Sequence, residues 1–434
     1  MAEYLAIALA LAVATPAWGQ DDFDNFDDLD ALDELDALDG SRGLEATGFL
    51  SETTHVYVTD RDDGTADEQQ LLEVQLEVDA HTDVFDVFVH PRFLVDVLDT
   101  ELLRYEPLEA YFDVGGRRWD LRVGQFVDSW GIADTFNPLD VLNRRDLGGN
   151  PIRPQPLGEL GTRFRIHGTG GSVLGEPTLS AYAMPVWRAT MFPTENSRYA
   201  LPLDEEALVR PDFANGFFGA VRADATLSTS VGSADVQIVG ARGPERMPNF
   251  GFGPQGLVPQ YYGSWVAGGG FRAVPANSHL TLKAEAVYKR PYELDTPVDV
   301  LPEDYVQFAV GIDRAFSGLA SPQDQLTLTV EYLGEAGGDE IENPLRPLGS
   351  DVAFRVAWDA GNFSRTSVEA RGIVDVASAD VIAEGVFKTQ LRFVHDDLGL
   401  LASAQVFGAR TADVPPREQR PNNSRVSAGL RFDF

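Results

Sequence analysis

The last ten residues, 425–434, read RVSAGLRFDF. Apolar side chains alternate there with small or charged ones, and a period of two places the two sets on opposite faces of a β-strand. The segment therefore predicts a strand with one apolar and one polar face that ends in phenylalanine. Its apolar positions are Val426, Ala428, Leu430, Phe432 and Phe434.

The same alternation recurs along the chain after residue 43. Leu326, Leu328 and Val330, for example, alternate with Thr327 and Thr329. We predict about 18 strands, or 16 if two weak early segments merge. Their approximate spans are 45–59, 69–79, 84–97, 105–114, 117–127, 159–168, 173–186, 214–229, 231–242, 261–274, 278–290, 303–316, 324–335, 350–360, 363–377, 381–395, 398–410 and 424–434.

Many alternating strands fit a soluble sandwich or propeller, with the apolar faces inside, or a membrane barrel, with those faces towards lipid. The connections favour the barrel, because short ones such as 168–172 alternate with long ones such as 128–158 and 187–213. Membrane barrels have short turns at one end and long loops at the other. We therefore predict an all-β fold: a transmembrane, antiparallel, up-and-down β-barrel over residues 44–434.

The predicted polar faces carry full charges in mid-strand, which suits the lining of a lumen. Many apolar positions on the opposite faces are small, such as Ala223, Ala284 and Ala370, which suits a wall that faces lipid. We predict the following pore-lining residues: Arg122, Arg163, Arg165, Arg222, Arg355, Arg365, Arg371, Arg392, Glu109, Asp120, Glu285 and Glu331.

The long connection after strand 5, residues 128–158, is predicted to fold towards the lumen. Several prolines stiffen it, and Asn137-Pro138 is a turn signal. Its charges either filter solutes at a constriction or pair with one another to hold the loop in place. Both alternatives remain open, and Trp130 is read as a rim or loop anchor. The predicted constriction residues are Trp130, Asp134, Asn137, Asp140, Asn143, Arg144, Arg145, Asp146 and Arg153.

Residues 108–147 contain an extended block, with R-x-G-Q at Arg122–Gln125, then W-G-x-A-D from Trp130, N-P-x-D from Asn137 and N-x-R-D from Asn143. This block resembles a largely uncharacterised family of porin-like bacterial outer-membrane β-barrels. The final strand, with Leu430, Phe432 and Phe434, resembles the assembly signal of such barrels. The resemblance implies a transport or channel role and recognition of the last strand by the barrel-assembly machinery, but no particular solute.

The N-terminus reads as a targeting segment followed by an acidic tail. Residues 4–19 form the one long apolar run, and residues 1–19 are interpreted as a signal peptide, although Glu3 replaces the usual basic residues. Ten of the residues 21–40 are acidic, so residues 20–43 are read as a low-complexity periplasmic tail. A short helix that docks on a partner is the alternative reading of this tail.

Composition excludes several functions. The formal net charge is -34, which disfavours nucleic acid as a partner. The chain has no Cys and six scattered His, so we expect no metal, no cofactor and no catalytic site, and hence no enzyme. A catalytic site built across strands is the exception that the sequence leaves open.

We expect an outer-membrane porin or solute channel that gives passive, size- and charge-filtered diffusion. The alternative is an outer-membrane transporter of hydrophobic or organic molecules, or a partner of an export pump; an adhesin or structural barrel is a further reading. The expected partners are outer-membrane lipid and small solutes, and a homotrimer is compatible with the sequence. The balance of acids and arginines does not rank cations against anions.

Overall fold

The chain folds into a β-barrel of 18 strands. The computed structural model describes residues 43–58, 67–82, 84–98, 103–148, 154–193, 203–204, 211, 216–252, 256–294, 301–337, 350–376, 379–408 and 423–434. The barrel strands are β1 (Gly43–Tyr57), β2 (Glu68–His81), β3 (Asp86–Asp96), β4 (Leu103–Gly116), β5 (Trp119–Phe126), β8 (Glu159–His167), β9 (Thr178–Met184), β10 (Phe218–Thr229), β11 (Gly232–Pro244), β14 (Gly263–Pro275), β15 (Leu280–Tyr292), β16 (Tyr305–Ser317), β17 (Gln325–Gly337), β18 (Ser350–Asp359), β19 (Ser367–Asp375), β20 (Val381–Gln390), β21 (Leu398–Gly408) and β22 (Arg425–Asp433).

Every barrel strand pairs antiparallel with the next, and β22 closes the barrel by pairing with β1. In that closing pair Val56 lies opposite Val426, and Phe49 lies opposite Asp433. Closure leaves no unpaired strand edge. The predicted fold class is confirmed, and the count is 18 rather than 16.

The alternation of side chains places apolar residues on the outside of the barrel. In β22, Val426 and Leu430 are 54% and 47% exposed, whereas Arg425 and Ser427 are buried. Ile238 on β11 and Val310 on β16 are likewise exposed, at 61% and 52%. A soluble sandwich would bury such residues, so an apolar outer surface is the arrangement of a membrane barrel.

Connection lengths differ between the two ends of the barrel. At the short-turn end, where β1 begins, the connections include residues 117–118, 230–231 and 276–279. At the opposite, long-loop end they include residues 127–158 and 185–217. Two short hairpins lie within the long loops: β6 (Arg144–Asp146) with β7 (Gln155–Leu157), and β12 (Asn249–Phe252) with β13 (Leu257–Gln260). The sequence analysis missed both hairpins.

Arg365 and Arg392 do not lie in mid-strand. The sequence analysis placed both on strands, and this placement is wrong, because β19 begins at Ser367 and β20 ends at Gln390. Arg365 lies in the turn before β19 at a φ of 45°, where the backbone N–H of Thr366 donates to Asn362 Oδ1. Arg392 lies in the turn after β20, with its guanidinium 4.1 Å from the centre of the Phe363 ring.

The described residues contain no helix long and apolar enough to cross a membrane. The predicted signal peptide, all of the acidic tail but Gly43, and the loop residue Arg153 lie outside the part of the chain that the structure describes.

Candidate functional site: the lumen and its folded loop

Residues 127–158 are here called the lumen loop, and its described parts, 127–148 and 154–158, fold into the barrel and follow its inner wall. The backbone N–H of Gly131 donates to Gln237 Oε1 of β11 over 3.0 Å. Further along, the N–H of Asp134 donates to Glu331 Oε1 of β17 over 2.7 Å. Both acceptors lie on inward faces, so the loop runs along the wall from β11 to β17. The predicted folding of this loop towards the lumen is confirmed.

Two wall carboxylates hold the tip of the lumen loop. Glu285 on β15 accepts the backbone N–H groups of Ile132 and Ala133, and Glu331 accepts those of Asp134 and Thr135. Glu285 is 3% exposed and Glu331 is 0% exposed. Because a buried N–H group without an acceptor is costly, these four bonds fix the backbone of the tip.

Lys283 balances the negative charge beneath the tip. Its Nζ is 2.6 Å from Asp313 Oδ2 and 3.8 Å from Glu331 Oε1, and it also forms an ion pair with Asp134 of the loop. Lys283 is 3% exposed. A buried cation of this kind stabilises only when it is paired, and here three carboxylates surround it.

Apolar contacts hold the first half of the loop. Trp130 is fully buried and packs edge-on against the Tyr182 ring, with 5.1 Å between ring centres. Leu139 and Leu142 are also fully buried in the same cluster. The wall supplies its share of the cluster from β5, β9, β10, β11, β14 and β15, through Phe126, Tyr182, Met184, Phe218, Ala220, Val239, Ala241, Val266 and Val287.

Part of the inner wall beneath the loop is therefore apolar, beside the polar Gln237 and Glu285. The sequence analysis assigned the inward face to polar residues throughout, and at these positions that expectation is wrong. The physical reason is that the loop fills this side of the lumen, so the wall there packs against protein instead of water. The sequence did carry a signal for this packing. Large apolar residues such as Met184 and Val287 occupy inward positions, whereas several outward positions carry small residues.

The W-G-x-A-D motif acquires a structural explanation. Gly131 has a φ of +110°, and a Cβ there would lie 2.7 Å from the Cβ of Asn137. Ala133 packs in a second cluster against Ala309, Leu333 and Ala353 of the wall. The motif thus combines a large anchor, a residue able to adopt a left-handed backbone and a small residue that allows close approach.

Asp128 joins the base of the loop to four wall residues, one of which is the predicted lining residue Arg165, whose Nη2 lies 3.8 Å from its carboxylate. Its carboxylate lies 3.3 Å from Arg163 Nη1 and 3.3 Å from Arg222 Nη1, and it accepts the Tyr182 hydroxyl over 2.8 Å. Arg163 also bonds Asp120, at 3.0 Å. The predicted lining residues Arg163, Arg222 and Asp120 are thus brought together, but Asp128, which joins the two arginines to the loop, was missed.

The second half of the loop is held by ion pairs with β3 and β4. Asp146 lies 3.2 Å from Arg92 and 3.5 Å from Arg104. Arg144 pairs with Glu106 of β4 and lies 3.7 Å from Glu159.

The remaining predicted loop charges pair within the loop itself. Arg145 bonds Asp140, which also accepts Asn143 Nδ2 over 2.9 Å. The predicted loop charges that the structure describes are therefore all engaged in holding the loop.

Beside the loop, the inner faces of β1–β4 form a concavity of about 400 Å³. Carboxylates and two aromatic rings dominate its lining. Glu77 lies 3.8 Å from His90, and Glu109 accepts the Val127 N–H over 2.8 Å. The lining residues are Glu45, Thr47, Glu77, Asp79, Phe88, Glu109 and Tyr111.

Further predicted lining arginines are in ion pairs. Arg122 bonds Asp113 at 2.7 Å and stacks on the Tyr111 ring at 3.7 Å. Across the barrel, Arg355 of β18 lies 3.1 Å from Glu369, which also pairs with Arg371. No group of three or more His, Asp or Glu side chains in the described ranges could hold a metal ion.

Solved structures of similar shape are bacterial outer-membrane proteins. Pseudomonas aeruginosa OccK2 (OpdF), determined in complex with glucuronate, is 11% identical, with a TM-score of 0.52 over 90% of this chain and 95% of its own. P. aeruginosa OccK11 (OpdR) is 10% identical over 90% and 96% of the two chains, with a TM-score of 0.49. Wzi of Escherichia coli, a carbohydrate-binding barrel of capsule assembly, is 14% identical over 99% and 91%, also at 0.49.

No family model matches the chain, and no curated protein matches it in sequence. The 18-strand barrel and its similarity to OccK2 confirm the resemblance to porin-like outer-membrane barrels at the level of the fold.

Proposed function

We propose that this protein is a porin of the bacterial outer membrane that lets small solutes diffuse passively, filtered by size and by charge. The observation that carries the proposal is the placement of the lumen loop. It is pinned against the wall from β9 to β19 and to β3 and β4 by ion pairs, and it leaves open a charged concavity on the inner faces of β1–β4. A closed barrel narrowed by a fixed loop is suited to diffusion rather than to catalysis.

The size filter rests on the rigidity of the loop. Its tip is held by the carboxylates of Glu285 and Glu331, and its second half by Arg92 and Arg104 through Asp146. These anchors lie on widely separated strands of the wall, so the loop stays in place and the opening beside it keeps a constant cross-section. A loop held at one end alone would move aside when a large solute enters.

The charge filter favours cations and cationic solutes. Four carboxylates, from Glu45, Glu77, Asp79 and Glu109, line the uncovered concavity, and no arginine or lysine is among its lining residues. Carboxylates that line a pore attract cations and repel anions. Glucuronate, with which OccK2 was determined in complex, is an anion, whereas the carboxylates of this wall favour cations.

The test is the reversal potential of single channels in a planar bilayer under a potassium chloride gradient. The native channel is expected to be cation-selective, and the triple variant Glu77→Gln, Asp79→Asn, Glu109→Gln is expected to lose most of that selectivity. Glu68→Gln is a suitable control, because this exposed residue starts β2 at the long-loop end, outside the concavity. Anion selectivity of the native channel would refute the charge filter, and folded protein without conductance would refute the porin.

A further inference from the structure

The lining of the concavity forms two levels along the barrel wall, of which one lies nearer the short-turn end. In that level Glu45 lies opposite Asp79, which in turn lies opposite Phe88. Tyr111 lies opposite Phe88 on the next strand, and all four side chains line the concavity. The level nearer the short-turn end therefore combines two carboxylates with two aromatic rings.

The second level lies two residues further along the strands, towards the lumen loop. Thr47 lies opposite Glu77 there, and His90 lies opposite Glu109. Glu77 Oε1 is 3.8 Å from His90 Nε2, so the two carboxylates of this level are at the same height. Because a strand advances about 3.3 Å per residue, the two levels are about 6.6 Å apart.

The arginines beside the concavity already have carboxylate partners. Arg122 bonds Asp113 at 2.7 Å, and Arg431 bonds Asp433 at 2.9 Å. Within the described ranges, the four lining carboxylates form no ion pair with an arginine or a lysine, and the contacts of two of them with ring nitrogens involve histidines. The lining therefore keeps its negative charge for a cation that enters the lumen.

The molecule already binds a guanidinium group with the same chemistry. The Arg122 guanidinium stacks on the Tyr111 ring at 3.7 Å, while Asp113 accepts its hydrogen bonds. Phe88 packs beside Tyr111, with 5.2 Å between ring centres, and shares its level with Asp79. An aromatic face beside a carboxylate suits a planar guanidinium, which stacks on the ring and donates hydrogen bonds from its edge.

We propose that the concavity binds linear organic dications that carry a guanidinium group at one end, an ammonium group at the other and no carboxylate. The inference rests on the proposed function and names the solutes that the charge filter prefers. The guanidinium binds Asp79 and Glu45 beside the Phe88 ring. The ammonium group binds Glu77 and Glu109 in the level nearer the loop.

The length of such a solute matches the spacing of the two levels. In extended 4-aminobutylguanidine, five bonds of about 1.5 Å in a zigzag chain place the ammonium nitrogen about 6 Å from the nearest guanidinium nitrogen. A solute with a single cationic group reaches one level only. An amino acid such as arginine brings a carboxylate towards a wall of carboxylates, which repel it.

The test measures how 4-aminobutylguanidine interrupts the potassium current of single channels in a planar bilayer. Added on both sides, it is expected to cause discrete interruptions as it occupies the concavity. Their mean duration should be about tenfold longer than with butylguanidine, which has one cationic group, because a second charge-assisted contact is lost. Arginine should also give interruptions about tenfold shorter, since its carboxylate is repelled.

Two substitutions locate the binding site. Phe88→Leu is expected to shorten the interruptions by 4-aminobutylguanidine about fivefold, the loss of one cation–π contact. Asp79→Asn is expected to shorten them about tenfold, because a charged acceptor is lost. Phe93→Leu is the matched control, since Phe93 lies on the same strand as Phe88 but is 40% exposed on the outer face, and it should leave the duration unchanged.

The reversal potential in potassium chloride, measured on the same channels, separates this inference from the proposed function. The inference alone is overturned if a cation-selective channel holds 4-aminobutylguanidine no longer than butylguanidine or arginine. It is equally overturned if Phe88→Leu and Asp79→Asn leave the duration unchanged, or if Phe93→Leu shortens it as much. Folded protein without conductance, or an anion-selective channel, overturns the proposed function and this inference with it.

Discussion

Glu331→Gln is the substitution that most directly tests the anchoring of the lumen loop. Glu331 accepts two backbone N–H groups of the loop tip, over 2.7 Å and 2.9 Å, in a fully buried position. Glutamine keeps one acceptor oxygen and places an amide N–H group opposite the other donor. One bond is lost and one buried N–H group is left without an acceptor.

The expected cost follows from those two effects. A hydrogen bond to a charged group contributes about 1.5–3 kcal/mol, and an unpaired buried donor costs about 1–3 kcal/mol, with overlap between the two. Lys283 keeps Asp134 and Asp313 as partners, so no buried charge becomes unpaired. We therefore expect docking of the tip to weaken by about 3 kcal/mol, which is about a hundredfold in the docking equilibrium.

Hydrogen exchange measured by mass spectrometry reports this equilibrium at the loop tip. In the native protein the peptide containing Ile132–Thr135 should be protected, and in Glu331→Gln its exchange should be about a hundredfold faster. Single channels of the variant should also show more open-channel noise. Glu335→Gln is the matched control, because Glu335 lies on the same strand and accepts a hydrogen bond from Gln307 Nε2 over 2.9 Å.

The reasoning is refuted if exchange at the tip of Glu331→Gln stays within threefold of the native rate in a folded barrel. Equal acceleration in Glu335→Gln would also contradict it, because the effect would then come from the loss of charge in the lumen and not from the lost acceptor.

Two further substitutions test local geometry. Gly131→Ala should cost about 1–3 kcal/mol, because φ is +110° and the new Cβ meets Asn137, whereas Gly171→Ala, with open space around it, should leave thermal unfolding unchanged. At Asp324, in the turn before β17, a bond donated by Trp358 Nε1 over 3.1 Å holds the carboxyl pKa below its usual range. This carboxylate stabilises the barrel above the unfolded-state pKa of about 4, and the benefit is lost as pH falls through the folded-state value. The difference in melting temperature between native protein and Asp324→Asn should therefore shrink between pH 5 and pH 2, and a constant difference would contradict this assignment.

The sequence by itself determined the strands and the two surfaces of the wall. The period of two in segments such as 326–332 and 425–434 is a local property, because successive side chains of any strand point to opposite sides. Short and long connections alternate for an equally local reason, since they can be read from the spacing between apolar patterns. These features were sufficient to predict about 18 strands, or 16, and their closure into a barrel, whereas the folding of the loop towards the lumen was predicted from its length, prolines and charges.

Only the tertiary structure decided how the lumen is filled. The donors at the loop tip and the acceptor Glu331 are separated by as many as 197 residues, and no local pattern reveals such a pairing. The alternation of side chains predicts that Val287 and Glu285 share an inward face. It does not predict that Val287 packs against the loop while Glu285 binds the loop backbone. The face of a strand on which a side chain lies is fixed by the geometry of the strand itself. The role of each inward residue depends instead on which residues barrel closure and loop folding bring opposite to it.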